Sequence, residues 1–397
     1  VTESLENASP ATFADLVGAL PSSLFDDYVL MRESQSLQDA SAEKPRAILF
    51  GGGGDVIVAV GTHGSSLEAI EYNRRERRWD FYEVHVRDGK LAVSEPNPSR
   101  CTRCHGEPLR PNWEPYLLWP GAYGERDGVL GRDAEDFHRF VAKAAHSPLY
   151  RRLPELAEHY TLQDESFDPN TRFTLTVTKR NMERVAAELA RSPVFPSLKY
   201  AMAAAVAGCG KVSGDRPSLD FLPAGTVLRS RTEELLAAKL KAARATHRDA
   251  ALPVDLYVLE ALLEAAGVGF DVANASTVHR WKEFFARSVA QGSSLDPFSH
   301  GFGGIEQFVD WGLAAVDREI DGLVAPVRAP YLAGPSPAAS RSQQLTRPFF
   351  LVPTMFFAGA QALCPVLELR SLEALAGFTP PMPQTVPKPG TAPTHRR

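Results

Sequence analysis

Two thiols and an imidazole stand together at Cys101-Thr102-Arg103-Cys104-His105. Thiols three residues apart, on a turn or in the first turn of a helix, can each reach one vinyl group of the same porphyrin. Adding each S–H across its vinyl double bond leaves a thioether. His105 is then aimed at the iron from below the ring, one nitrogen donating to the metal while the other N–H serves an acceptor. Cys-x-x-Cys-His is the spacing of covalent haem attachment. With 4 Cys and 10 His in 397 residues, random placement gives it about once in a thousand such chains. Two rival chemistries remain. Structural zinc usually takes four Cys or His ligands in two close pairs, whereas Cys209 and Cys364 are isolated. A redox Cys-x-x-Cys pair sits in a thioredoxin-like strand–helix context, whereas Ser94 to Arg100 is a Pro-rich loop.

The residues after the motif suit a porphyrin neighbourhood. Trp113, Tyr116, Trp119 and Tyr123 follow in a segment interrupted by Pro108, Pro111, Pro115 and Pro120, which rules out a long regular helix. A rigid aromatic loop lowers the dielectric around a porphyrin and favours ferrous iron. Arg103 and Arg110 can pair with propionates; ordinary core aromatics and solvated arginines are the plain alternative. A sixth iron ligand can come from Met31, Met182, Met202, Met355 or Met382, or from His63, His85, His138, His146, His159, His247, His279 or His300. Met355, in the rigid apolar Pro353-Thr354-Met355, and His85, on the strand entering the motif region, are the candidates; an open sixth position is equally compatible. Gly51 to Gly54 matches neither a dinucleotide-binding pattern nor a Walker loop and reads as a strand-to-strand turn. His300-Gly301-Phe302-Gly303-Gly304 reads as a loop and helix start, able to offer N–H groups to an anion.

The elements that must position the motif are legible around it. Residues 1–45 read as a helical lead-in: Phe13, Leu16, Val17 and Leu20 fall at helical spacing after Ser9-Pro10, and a second amphipathic stretch covers Leu24 to Met31. Residues 46–100 read as an antiparallel β-meander. Its segments are Ala47 to Phe50, Asp55 to Val60, Leu67 to Tyr72, Trp79 to Val86 and Leu91 to Ser94, with Asp88-Gly89 a strong hairpin signal. Residues 101–130 form the haem attachment loop. Residues 131–379 are a mainly helical body with predicted helices over Asp133–His146, Lys179–Arg191, Ser197–Gly208, Thr232–Thr246, Val254–Ala266, Ser276–Ala290, Gly304–Ile320 and Val366–Ala376. Asp133 offers an N-cap, and Phe137, Phe140, Val141 and Ala144 share a face. Residues 380–397 form a Pro-rich tail expected to be disordered. The fold class is α+β.

Composition excludes some partners. The chain is 44% hydrophobic and 23% charged, with formal charge −5, ordinary for a globular protein. That balance gives no reason to expect nucleic acid or an anionic membrane as partner. No apolar run is long enough to span a bilayer. If haem occupies Cys101 and Cys104, Cys209 and Cys364 are left as an even pair for a disulfide, two unrelated buried thiols being the alternative.

At Cys101 to His105 the sequence resembles the c-type cytochromes. The resemblance implies one covalent haem c, with His105 as iron ligand, and attachment in the periplasm or otherwise outside the cytoplasm of a bacterium, a signal segment ahead of Val1 having been removed. Only the attachment motif carries over; small single-domain cytochromes place it near the N-terminus and supply a methionine ligand further along. The segments Cys104-His105-Gly106, Arg110-Pro111-Asn112-Trp113 and Trp119-Pro120-Gly121 are also similar to large mono-haem bacterial proteins. The expected function is electron transfer with a redox partner protein. A haem enzyme of peroxidase or oxygenase type with an open distal site, and a haem-based sensor or structural subunit of a complex, are the alternatives.

Overall fold

The computed structural model describes residues 2–34, 38–51, 54–61, 66–105, 109, 121–123, 134–144, 146–153, 169–209, 212–213, 216–246, 254–268, 306–332 and 362–381. The fold is α+β, an N-terminal six-stranded antiparallel sheet followed by a mostly helical body. The strands are β1 (Tyr28–Met31), β2 (Arg46–Leu49), β3 (Val56–Val60), β4 (Ser66–Asn73), β5 (Arg78–Arg87) and β6 (Lys90–Val93), hydrogen-bonded in that order. Every link is a next-neighbour hairpin, so the antiparallel meander expected within residues 46–100 is present. Asp88 and Gly89 both take positive φ, 51° and 69°, as a two-residue hairpin turn requires.

One strand departs from expectation. Tyr28–Met31 is β1, whereas the sequence placed these residues in a second amphipathic helical stretch. All four are buried, because the sheet is covered on both faces. A strand buried on both sides loses the alternation that distinguishes it from a helix.

One face buries Tyr28, Leu30, Leu49, Val58, Val60, Leu67 and Val84 under α1 (Thr2–Ala8), α2 (Phe13–Ala19) and α4 (Ala134–Ala144). Helix α2 begins in a capping box between Thr12 and Asp15. Helix α4 presents Phe137, Phe140 and Ala144 inward, as its spacing predicted; its expected N-cap, Asp133, lies outside the described residues. The sequence assigned α4 to the helical body, but it packs on the sheet. The other face buries Val29, Met31, Ile48, Ile57, Tyr72, Trp79 and Phe81. Phe173 and Val177 cover it from α5 (Pro169–Ala190). The motif residues Ser99–His105 form a short helix, α3.

The helical body continues with α6 (Phe195–Val206), a two-residue-strand hairpin (β7, Val212–Ser213; β8, Arg216–Pro217), α7 (Val227–Thr246) and α8 (Val254–Ala265). A π-helical turn follows at Phe308–Leu313, then a helical turn at Ala314–Val316, α9 (Arg318–Leu332) and α10 (362–374). The single helix expected over Gly304–Ile320 is interrupted at Asp317. Its carboxylate accepts the backbone N–H groups of Glu319 and Ile320 at 3.0 and 3.1 Å, making it the N-cap of a new helix. Cys209, just past α6, is disulfide-bonded to Cys364 in α10, with Cα atoms 5.1 Å apart. The expected helix over Ser276–Ala290, nearly all of the tail and most of the attachment loop lie outside the described residues. Among the described residues no helix is long and apolar enough to cross a membrane.

Candidate functional site

The site is built on β5. Strand pairing between β5 and β6 ends at Val84 and Val93, yet the chain beyond β6 stays on the strand for two more rungs. Ser94 donates its N–H to the carbonyl of Glu83 at 2.9 Å, and its hydroxyl accepts the Glu83 N–H at 3.0 Å. Asn97 donates its N–H to the carbonyl of Phe81 at 2.8 Å, and its side-chain oxygen accepts the Phe81 N–H at 2.8 Å. Two side chains stand in for a strand's carbonyls while the chain turns out of the sheet plane. Pro98 then opens α3, its carbonyl accepting the N–H groups of Cys101 and Thr102 at 2.8 and 3.3 Å. Proline has no N–H to satisfy, which suits it to such a start.

Helix α3 brings Cys101 and His105 onto one side, four residues and about one turn apart. The His105 ring packs on Phe81 with centroids 4.4 Å apart and planes tilted by 45°. Cys101 packs against the same apolar cluster, and so does Leu109, four residues beyond His105. The helix is held from its exposed side by Arg100, whose Nε lies 3.2 Å from a carboxylate oxygen of Glu83. At half-exposed positions such a pair contributes under about 1 kcal/mol, so the hydrogen-bonded loop carries most of the positioning.

The chain returns to the sheet at its far side. Gly121 accepts the N–H of Arg32 at 2.7 Å, and Tyr123 donates its N–H to Leu30 at 2.9 Å. Ala122 forms an isolated bridge with Met31. Residues 121–123 thus lie along the outer edge of β1, five strand spacings or about 24 Å from β5. Tyr123 is fully buried, its hydroxyl donating to the Ala42 carbonyl at 2.9 Å. Of the aromatic residues expected near the motif, Tyr123 therefore packs on the first face of the sheet, opposite Phe81; Trp113, Tyr116, Trp119 and Arg110 lie outside the described residues. Arg103 is exposed.

The motif face also carries charge. Arg46 is buried there, its guanidinium donating to Glu68 at 2.7 Å, to Gln38 at 3.0 Å and to Ser34 at 3.4 Å. Burial lowers the pKa of Arg46 and the Glu68 charge opposes that shift. Glu68 sits directly across from Glu83 in the register, so the sequence Arg46, Glu68, Glu83, Arg100 runs across the sheet with the charges + − − +.

The sixth-ligand candidates are dispersed. His85 shares the motif face, four residues or about 13 Å along β5 from Phe81, with its Nε2 3.9 Å from Glu83. Met31 lies in the same apolar cluster at the opposite edge of the sheet. Met182 and Met202 are buried in the helical core. His138 and His146 are exposed. Met355, Met382, His63, His159, His247, His279 and His300 lie outside the described residues.

A covalently held haem asks for two thiols and an imidazole on one side of a turn, facing an apolar wall. Cys101 and His105 meet that wall on the motif face, and Cys104 stands between them in the same helix. The two described side chains, Cys101 and His105, fit the group. Among the described residues no three His, Cys, Asp or Glu side chains gather into a metal-ligand set; a haem iron draws a single ligand from this motif. Sequence reasoning found Cys101, Cys104 and His105 but missed Phe81, Ser94 and Asn97. The available signal was Asn97-Pro98, a pair that favours turn initiation.

The chain matches no protein-family model, no curated protein and no solved structure. The fold defines an α+β protein whose Cys-x-x-Cys-His helix is fastened to the fifth strand of an antiparallel meander.

Proposed function

We propose that this chain is an extracytoplasmic bacterial c-type cytochrome that carries one haem c on Cys101 and Cys104, ligates its iron through His105, and transfers electrons to or from a redox partner protein. The observation that carries the reading is the packing of the His105 ring on Phe81, with Cys101 one turn earlier against the same apolar face. When bound, the haem supplies an iron that passes between ferric and ferrous states. The chain's own residues do the rest. Cys101 and Cys104 fix the porphyrin by thioether bonds, so it cannot dissociate between electron transfers. His105 donates one imidazole nitrogen to the metal, and Phe81 limits rotation of that ring. Apolar side chains at Ile57, Ile70 and Trp79 keep the motif face poor in water, which favours the less charged, reduced state. The Cys209–Cys364 bond suits an oxidising compartment, in keeping with haem attachment outside the cytoplasm.

The test is direct. The chain is matured in a bacterial host that attaches haem c, then extracted with acid–acetone and assayed for pigment and iron. One haem per chain should resist extraction, and C101A/C104A should lose it. Pigment fully extracted from the wild-type chain, or zinc in place of iron, overturns the proposal. The reduced spectrum with and without carbon monoxide then separates electron transfer from an open catalytic site: a carbon monoxide shift counts against the carrier reading.

A further inference from the structure

We propose that Asn97 is the positioning residue for His105, setting the orientation in which the imidazole is offered to the iron. This rests on the reading of His105 as an axial ligand. Two of the hydrogen bonds Asn97 makes go to one residue, Phe81, and Phe81 is the residue whose ring packs on His105. The Asn97 amide nitrogen donates to Asp80 at 3.3 Å. Asp80 is itself fixed by Arg78 at 3.0 Å and by Asn73 at 3.3 Å. The amide is therefore oriented from both ends, oxygen to a backbone N–H and nitrogen to a carboxylate.

Asn97 also occupies the left-handed backbone region, with φ of +62°. Non-glycine residues pay for that conformation, and it persists where the surroundings over-determine it. Here its consequence is plain. The turn at Asn97 delivers Pro98, whose carbonyl starts the helix that carries Cys101, Cys104 and His105. One residue therefore fixes both, its side chain the strand residue beneath the imidazole and its backbone turn the start of the helix above it. Ser94 secures only the neighbouring rung at Glu83. An imidazole packed on a fixed ring keeps one angle to the metal; one that rocks weakens the axial bond and moves the potential.

The test compares wild type with N97G, which keeps access to positive φ and removes the amide, and with N97D, which sets a carboxylate against Asp80. D80N/N97D restores the pairing with donor and acceptor exchanged. Two readouts are taken: the His105 ring-proton resonances in the haem-free C101A/C104A background with labelled histidine, and the midpoint potential of the matured protein. N97G and N97D should move the His105 resonances away from the wild-type positions and shift the potential, and D80N/N97D should return both toward wild type. S94A, which loosens only the neighbouring rung, should move both less than N97D does. Unmoved His105 resonances in the single variants overturn the inference, as does a swap that restores nothing. Should N97G fail to fold, N97D and its rescue decide. Absence of covalent haem from the wild-type chain sinks the proposed function, whereas the haem-free resonances still decide the role of Asn97.

Discussion

Replacing Cys209 and Cys364 by serine opens a loop of 155 residues. In the chain-entropy description, closing a loop of that length removes about 17 cal/mol/K from the unfolded ensemble, or about 5 kcal/mol at 25 °C. Whole-domain stabilities run to about 5–15 kcal/mol, so the bond is a major contribution. The native fold retains other anchors for α10. Leu363 and Leu367 are buried in the helical core, and the Ser371 hydroxyl donates to the Phe221 carbonyl at 2.7 Å. C209S/C364S should therefore fold but unfold at a urea midpoint roughly 2 M lower, taking a slope near 3 kcal/mol/M. Far-ultraviolet circular dichroism and tryptophan fluorescence follow the transition. Serine variants are preferable to a reductant, which would also act on the Cys101–Cys104 motif. A midpoint unchanged within about 0.3 M would falsify the loop-closure account.

Three further outcomes follow from buried polar groups. Burial pushes the Asp255 carboxyl up to about 6 from 3.8, so between those values the folded state holds the proton more tightly than the unfolded chain. Its contribution is present below pH ~4 and lost as pH rises through ~6, a change of about 3 kcal/mol. D255N should accordingly gain stability over wild type at pH 8 and match it at pH 4; a difference independent of pH in thermal melts refutes this. Glu68→Gln leaves the buried Arg46 guanidinium without its counter-charge and should cost about 3 kcal/mol in urea unfolding, whereas R46M/E68L should cost much less. Trp79→Phe removes the indole N–H bond to the Asn181 side chain at 3.2 Å and should cost about 1–3 kcal/mol. An unfolding midpoint equal to wild type would mean that this link between sheet and helical body is energetically idle.

The sequence disclosed the meander because its turns are written in glycine and Asp-Gly and its strands in Val, Ile, Tyr and Phe. The first strand escaped because both faces of the sheet are covered, which erases alternation from Tyr28 to Met31. The packing partner of α4 was hidden for a related reason. Helix α4 shows an amphipathic period but not what it packs against, and Phe137 and Phe140 turn toward the sheet. Cys209 and Cys364 were paired by counting, and the fold brings them together. The residues proposed to attach haem stood out through spacing alone. Their supports did not: Phe81 looks like any strand aromatic, and Asn97 gains its role only from a register that brings its amide opposite the Phe81 N–H.

Helix α5, 22 residues or about 33 Å long, has its first half in one hydrophobic core and its second in another. Phe173 and Val177 roof the sheet face that bears Phe81, while Met182, Val185, Ala186 and Leu189 belong to the helical core. Severing the chain ahead of Pro169 would strip that roof and leave Val29, Ile57 and Trp79 as an oily patch inviting clumping. The two halves of this protein thus share a single beam and are not separable modules. Repacking around Met182 can tilt the ceiling over the motif without touching any residue of it.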